Sequence, residues 1–303
     1  MAEYLSKHTR KKDGLNFVLT DRDIEILRAV NRCRYLRTSQ IKRIVFPQNT
    51  TLQSTRRRLK YLFHNKFLGR ITPFIQIGQG EGETAYYLDK AGGELLKEYG
   101  DELYSYSQQN QVRTQFLNHA LDLSEFRINM ETALKSHPII ELYRFTCDFE
   151  LKEYTLKAMG RKIYKLYDEV IHPINRQRHV VYPDALIILK GKGEYDEFQK
   201  VYFLEIDRGT ESLSVIRDKV IGYNIYHKQK IFNKFGAGDV FTVLLQTSSE
   251  KRAENIRKYL VDQEGAELVW VTNVQQVDEN SIISSPIWQD YQFEQKAMIK
   301  ALV

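Results

Sequence analysis

Long apolar runs are missing from this 303-residue chain. The longest, such as VFTVLL at 240–245, fall far short of the ~20 residues that cross a bilayer, and the opening MAEYLSKHTRKK has no apolar core of the signal-peptide kind. Membrane and secreted roles are therefore not expected. Cysteine is scarce too: Cys33 and Cys147 stand in separate segments without CxxC spacing, which argues against a disulfide framework and a structural zinc site. A cytoplasmic location is the resulting expectation. There is no GxxxxGK[ST] and no GxGxxG after a strand, so nucleoside triphosphate and dinucleotide sites lack support. No two of the seven histidines are separated by a single residue, which removes metal centres built on a His-hydrophobic-His triplet.

What is present is the composition of a folded globular chain, 42% apolar, 28% charged and 12% aromatic, long enough for one large domain or two ordinary ones. The net charge of +6 is unevenly distributed. Residues 1–100 hold 19 Lys and Arg against 10 Asp and Glu, and the rest of the chain holds 26 against 29. A basic segment joined to a mildly acidic body suggests a module that meets a polyanion, with nucleic acid the first candidate.

The basic third has the order of elements of a winged helix-turn-helix. After a basic tail (1–18), Thr20 can cap a helix DRDIEILRAVNRC in which Ile24, Leu27 and Val30 recur at helical spacing. A second helix, Thr38–Val45, stops before Pro47. A third begins near 49–51 and runs TLQSTRRRLKYLFHNKFL, with Leu52, Leu59, Leu62 and Phe63 inward and Gln53, Arg56, Arg57 and Lys60 outward. The runs RITPFIQI and TAYYLD flank a turn GQGEGE and make a hairpin, and AGGELLKEYG closes the module over 19–100. In that arrangement the third helix enters the major groove, where Gln53, Ser54, Arg56, Arg57 and Lys60 meet phosphates or base edges. The bland alternative is a wet basic face, or a winged helix used for protein contacts. Residues 101–115, polar and aperiodic at their centre, read as a linker.

The remainder, 116–303, reads as an α/β (α+β) domain. A long amphipathic helix from Thr114 to Leu134 is followed by extended runs IIELYRFTCDFEL, PDALIILK (183–190) and KVYFLEID (200–207). Then come a helical stretch SLSVIRDKVIGYNIYHKQKIF, a strand DVFTVLLQT, a helix SEKRAENIRKYLVDQ and a final strand ELVWVTN. The later strands can add parallel to a central mixed sheet.

The strands at 183–207 carry the chemistry. ALIIL and VYFL are apolar at every position, as expected of strands buried on both faces. Pairing them as a hairpin centred between Glu194 and Tyr195 puts Asp184 opposite Glu205 or Ile206, because residue numbers across an antiparallel ladder sum to a constant. Glu205 and Asp207, two apart, point to one face roughly 7 Å from each other. Three carboxylates at the rim of an apolar sheet repel, and Mg²⁺ or Mn²⁺ held among oxygens would relieve that repulsion. Such an ion polarises a phosphoryl oxygen and acidifies a bound water, the requirements of phosphodiester cleavage. The alternative is turn chemistry at Asp184, with Glu205 and Asp207 pairing with Arg208 or capping the next helix.

The pattern YPDALIIL…VYFLEIDRGTES, preceded by a winged helix, resembles the replication-relaxation family, which includes MOBC-type relaxases of conjugative and mobilisable elements; LEIDRGTES at 204–212 is its most specific segment. The resemblance implies a winged helix joined to a restriction-endonuclease-like PD-(D/E)xK domain, with Asp184 matching the first acid, Glu205 the second, and Asp207 standing where many such nucleases have lysine. An aspartate cannot donate that positive charge, and Lys219, bordering the apolar face of the following helix, is the candidate to supply it; Arg208 and Arg217 are also near in sequence. The implied activity is metal-dependent nicking of double-stranded DNA at an origin of transfer or replication. Single-stranded DNA and other conjugation or mobilisation proteins are further expected partners. The alternative is a non-catalytic plasmid replication initiator or regulator with an inactive nuclease-like domain.

Overall fold

The computed structural model describes residues 9–48, 51–72, 83–104, 112–151, 164–236 and 240–299. It has mixed α/β architecture, with seven α-helices and a seven-stranded mixed sheet among those residues, in two compact units, 1–125 and 126–303. None of the described helices is long and apolar enough to cross a membrane.

The first unit holds α1 (Asp21–Cys33), β1 (Leu36–Arg37), α2 (Thr38–Val45), α3 (Gln53–His64), β2 (Leu68–Ile71), β3 (Ala85–Leu88) and α4 (Lys90–Glu98). Helix α1 starts where Thr20 and Asp23 form a capping box, the Thr20 N–H and hydroxyl each donating to Asp23 Oδ2 at 2.8 Å. Asp23 is fully buried and also takes an ion pair from Arg58 of α3, which ties the first and third helices together. Helix α3 ends earlier than its sequence suggests: Lys66 takes a left-handed φ of 64° and the chain turns into β2. Strand β3 lies between β1 and β2, antiparallel to both. The expected turn GQGEGE falls almost wholly outside the described residues.

Helix α5 (Thr114–Leu134) begins in this unit. Leu117, Ala120 and Leu121 are buried with Tyr35, Ala85 and Tyr87, so the stretch read as a linker leads into a helix whose first half belongs to this core. Glu125 pairs with Arg43 and accepts from Gln40 Nε2 at 2.8 Å.

The second unit is built on the sheet β12–β11–β10–β9–β8–β7–β4. Its strands are β4 (Ile140–Cys147), β7 (Ala185–Gly191), β8 (Gln199–Asp207), β9 (Thr242–Thr247), β10 (Val269–Asn273), β11 (Trp288–Gln289) and β12 (Gln295–Lys296). A separate hairpin, β5 (Asp168–Ile171) with β6 (Arg178–Val181), lies between β4 and β7 in sequence. Strands β8, β9 and β10 run parallel, and β7 is antiparallel to β8. Helices α6 (Leu213–Lys228) and α7 (Glu250–Leu260) cover one face, where Val201, Phe203, Val243, Leu245, Val269 and Val271 meet Ile216, Val220, Tyr223, Ala253 and Ile256. Tyr202 and Leu204, alternating with these, are buried on the other face. Helix α6 stops at Lys228; Lys230 turns left-handed at φ 55° and a short 3₁₀ segment follows.

Candidate active site

The β7–β8 register sets the site. Ala185 faces Leu204, Leu186 faces Phe203 and Lys190 faces Gln199, so each pair sums to the constant expected from a hairpin centred between Glu194 and Tyr195. Gly191 helps hold that register, since a Cβ there would lie 1.7 Å from the Tyr195 carbonyl oxygen. One step beyond the ladder, the Asp184 N–H donates to Leu204 O at 2.9 Å and Asp184 Oδ2 accepts from the Ile206 N–H at 2.7 Å. Asp184 is thereby fixed opposite Glu205.

Glu205 is 5% exposed and points toward α6. Its Oε1 accepts from the Tyr223 hydroxyl at 2.5 Å and its Oε2 from Lys219 Nζ at 2.9 Å. Lys219 also donates to Glu211 Oε1 at 2.9 Å. Lys219 and Tyr223 are four apart, one helical turn, so both reach the same carboxylate. Burial pushes the Glu205 carboxyl above its ordinary pKa; the Lys219 charge opposes that shift and the Asp184 charge adds to it. Burial works against the Lys219 ammonium, but attraction to Glu205, Glu211 and Asp184 outweighs it and holds its pKa above the usual value. The Tyr223 hydroxyl is pushed well up by burial and by the adjacent Glu205.

Asp207 is also 5% exposed, but its partners differ. Its Oδ1 accepts from the Gly209 N–H at 2.9 Å, where Gly209 takes the left-handed φ of 78°. Its Oδ2 accepts from Thr247 Oγ1 at 2.9 Å and Arg252 Nε at 2.8 Å. Arg252 continues to the Glu211 carbonyl oxygen at 2.6 Å. The pocket lies at the carboxyl ends of β8 and β9, lined by Glu205, Asp207, Glu211, Lys219, Tyr223 and the apolar residues of β9 and α6.

The three carboxylates expected to share an ion are thus divided. Among the described residues no three Asp, Glu, His or Cys side chains gather to hold a metal ion. Asp207 is engaged by the half-buried Arg252, a hydroxyl and a main-chain N–H. Of the other two acids, Glu205 accepts from Lys219 and Tyr223 and Asp184 from the Ile206 N–H. Mg²⁺ needs only one or two carboxylates, with water and phosphate completing its shell, so an ion at this pair would share or displace those donors. Lys219, expected near the cluster, meets Glu205 directly. An arginine that holds Asp207 comes from α7. The site residues that sequence reasoning did not single out are Tyr223, Glu211, Thr247 and Arg252. Tyr223 was visible only as part of an apolar helix face, and Arg252, 45 residues from Asp207, left no local signal.

In the first unit, Gln53, Arg56 and Arg57 are exposed along α3, with Ser54 and Lys60 half-buried. Arg58, on the same helix, is turned to Asp23.

Comparison of the sequence with known families gives a match to the replication-relaxation model over residues 27–241, most of the chain and the whole of the Asp184–Glu205–Lys219 constellation. The chain belongs to the replication-relaxation family. Membership associates it with plasmid replication and relaxation. No curated protein and no solved structure matches it.

Proposed function

We propose that this replication-relaxation protein is a DNA-binding and strand-nicking relaxase that acts at a plasmid or conjugative-element origin of transfer. The observation that carries the reading is the meeting of Lys219 with Glu205 opposite Asp184, two acids and a cation at the carboxyl end of a buried strand. That grouping supports a PD-(D/E)xK-like site whose cation comes from α6 instead of the strand.

In this reading the first unit is a winged helix. Its helix–strand–helix–helix–strand–strand order and the exposed Gln53, Arg56 and Arg57 support docking of α3 in a duplex groove, with Ser54 and Lys60 beside them. Asp184 and Glu205 would hold Mg²⁺ or Mn²⁺, which when bound supplies Lewis acidity at a phosphoryl oxygen and a more acidic water. Lys219 stabilises negative charge developing on the scissile phosphate, a role that needs a fixed, partly desolvated ammonium. Tyr223 keeps Glu205 in one rotamer by donating to Oε1, and Glu211 sets the direction of the Lys219 stem. Asp207 with Arg252 and Thr247 forms the rigid floor that holds the end of β8.

The test is nicking of supercoiled origin plasmid with Mn²⁺. Activity in the wild type, lost in Asp184→Ala and in Glu205→Ala while duplex binding persists, is the expected result; unchanged nicking by both variants would remove this site. One observation favours a second reading, a non-catalytic initiator or regulator: both Glu205 oxygens and both Asp207 oxygens already have protein donors, so these two acids are satisfied without an ion. Thermal stabilisation by Mn²⁺ that disappears in Asp184→Ala separates the two in favour of the enzyme.

A further inference from the structure

The hairpin β5–β6 contributes nothing to the carboxylate pocket, yet it is firmly attached. Its inward residues Val170, His179 and Val181 are buried, and His179 Nδ1 lies 3.0 Å from Asp218 Oδ1 of α6. The Tyr226 hydroxyl donates to Asp168 Oδ2 at 2.8 Å, and Lys234 pairs with the same carboxylate. Beyond these anchors the chain turns through 172–177. There the N–H groups of Ile174 and Asn175 donate to His172 Nδ1 at 3.2 and 3.4 Å, and the Gln177 N–H donates to Asn175 Oδ1 at 2.9 Å. Main-chain bonds join His172 N–H to Gln177 O at 2.8 Å and Arg176 N–H to His172 O at 3.1 Å.

This bonding holds the tip in one shape, and the shape presents Ile174 to solvent. At 86% exposure it is the most exposed large apolar side chain among the described residues, and it follows Pro173. A scattered surface isoleucine needs no explanation. One held at the crest of a proline-stiffened, hydrogen-bonded turn with a cation beside it is a different case. Arg176, two residues on, is exposed and has φ 60°, while the neighbouring Arg178 pairs with Glu169. Gln229 Nε2 reaches Ile171 O at 3.5 Å, which brings the end of α6, with Lys230 and the ion pair of Lys228 with Glu264, alongside the hairpin.

We propose that β5–β6 is a DNA-wedging arm: Arg176 enters the minor groove and Ile174 inserts at a base step. An apolar wedge flanked by arginine is the chemistry by which proteins unstack a step from the minor-groove side, and flexible TA steps yield most readily. The run from Gln177 to Asp184 spans at most about 23 Å at ~3.3 Å per residue, which limits how far the tip can lie from the acid pair. The wedge rests on the DNA-binding part of the proposed function and is independent of nicking.

The experiment uses the full chain in EDTA, so that no cleavage intervenes, with a duplex of about 30 base pairs carrying 2-aminopurine beside TA steps. Anisotropy reports binding and 2-aminopurine fluorescence reports unstacking. The wild type is expected to raise fluorescence severalfold at saturation. Ile174→Ala binds within about threefold of wild type but loses the rise, and Ile174→Phe keeps it. Arg176→Ala weakens binding and lowers the slope of log K against log salt by about one. No rise with saturating wild type, or an equal rise with Ile174→Ala, overturns the proposal. Plasmid nicking in Mn²⁺ is scored separately: a protein that unstacks but never nicks keeps the arm and loses the nuclease reading, whereas one that nicks while Ile174→Ala unstacks like wild type loses the arm alone.

Discussion

Lys219 and Glu205, 14 residues apart on a helix and a strand, meet with Nζ 2.9 Å from Oε2. In the proposed reading, the ammonium that an E-x-K strand would carry two residues after its acid is delivered by the helix that follows. Lys219→Gln is expected to lower plasmid nicking by about 10²–10³-fold, the usual cost of removing one fixed electrostatic partner of the transition state. Duplex affinity should stay near wild type, and Lys219→Arg should recover part of the rate. Single-turnover nicking and anisotropy on the same preparations check both.

The raised pKa of Glu205 carries a stability consequence. The folded chain holds this proton where the unfolded chain, with a glutamate pKa of about 4.3, has released it. Between that value and the higher folded one the native state binds more protons, so stability falls as pH rises through the window. Glu205→Gln removes the contribution. Thermal unfolding in EDTA should show the variant gaining on wild type as pH rises above about 4, and no gain below it.

Arg252, half-buried, pairs with the buried Asp207, and its removal leaves that carboxylate without a countercharge. Arg252→Ala is expected to destabilise the protein by about 3 kcal/mol, seen as a lower denaturant midpoint at unchanged slope. Adding Asp207→Asn should restore much of the loss. Equal destabilisation by the single and double variants would mean that packing of the arginine stem, not the pair, is what matters.

Arg56 and Arg57 are exposed on α3. Each change to alanine should flatten the salt dependence of duplex binding by about one unit of slope if the side chain meets a phosphate. A base contact would instead relax sequence preference at one position. Competition with variant duplexes tells these outcomes apart.

Most elements were legible because their signals are local. The capping residue Thr20, the apolar spacing of α1 and α5 and the all-apolar ALIIL and VYFL each fix one element, and the hairpin arithmetic put Asp184 opposite Glu205 or Ile206, between which the ladder register chooses Glu205. What could not be read lies across long connections. Thr247 reaches Asp207 because β9 pairs parallel to β8, a register set by packing 40 residues away and by no turn. Hairpin β5–β6 was hidden for another reason: DEVI and RHVV are short and separated by a proline-containing basic turn that mimics a loop. Asp207 has the strand spacing of Glu205, and what distinguishes them is the set of partners brought by α7, β9 and the turn at Gly209.

The double hold on Asp184, main-chain N–H to Leu204 O and side chain to Ile206 N–H, ties one acid to the alignment of two strands. Sliding that alignment by a single position would turn the alternation of β8 inside out relative to β7 and separate the acids. Threading and assembly are thus one event: a misthreaded copy of this chain has no assembled acid pair, and the pair exists only in copies whose two strands have found their final register.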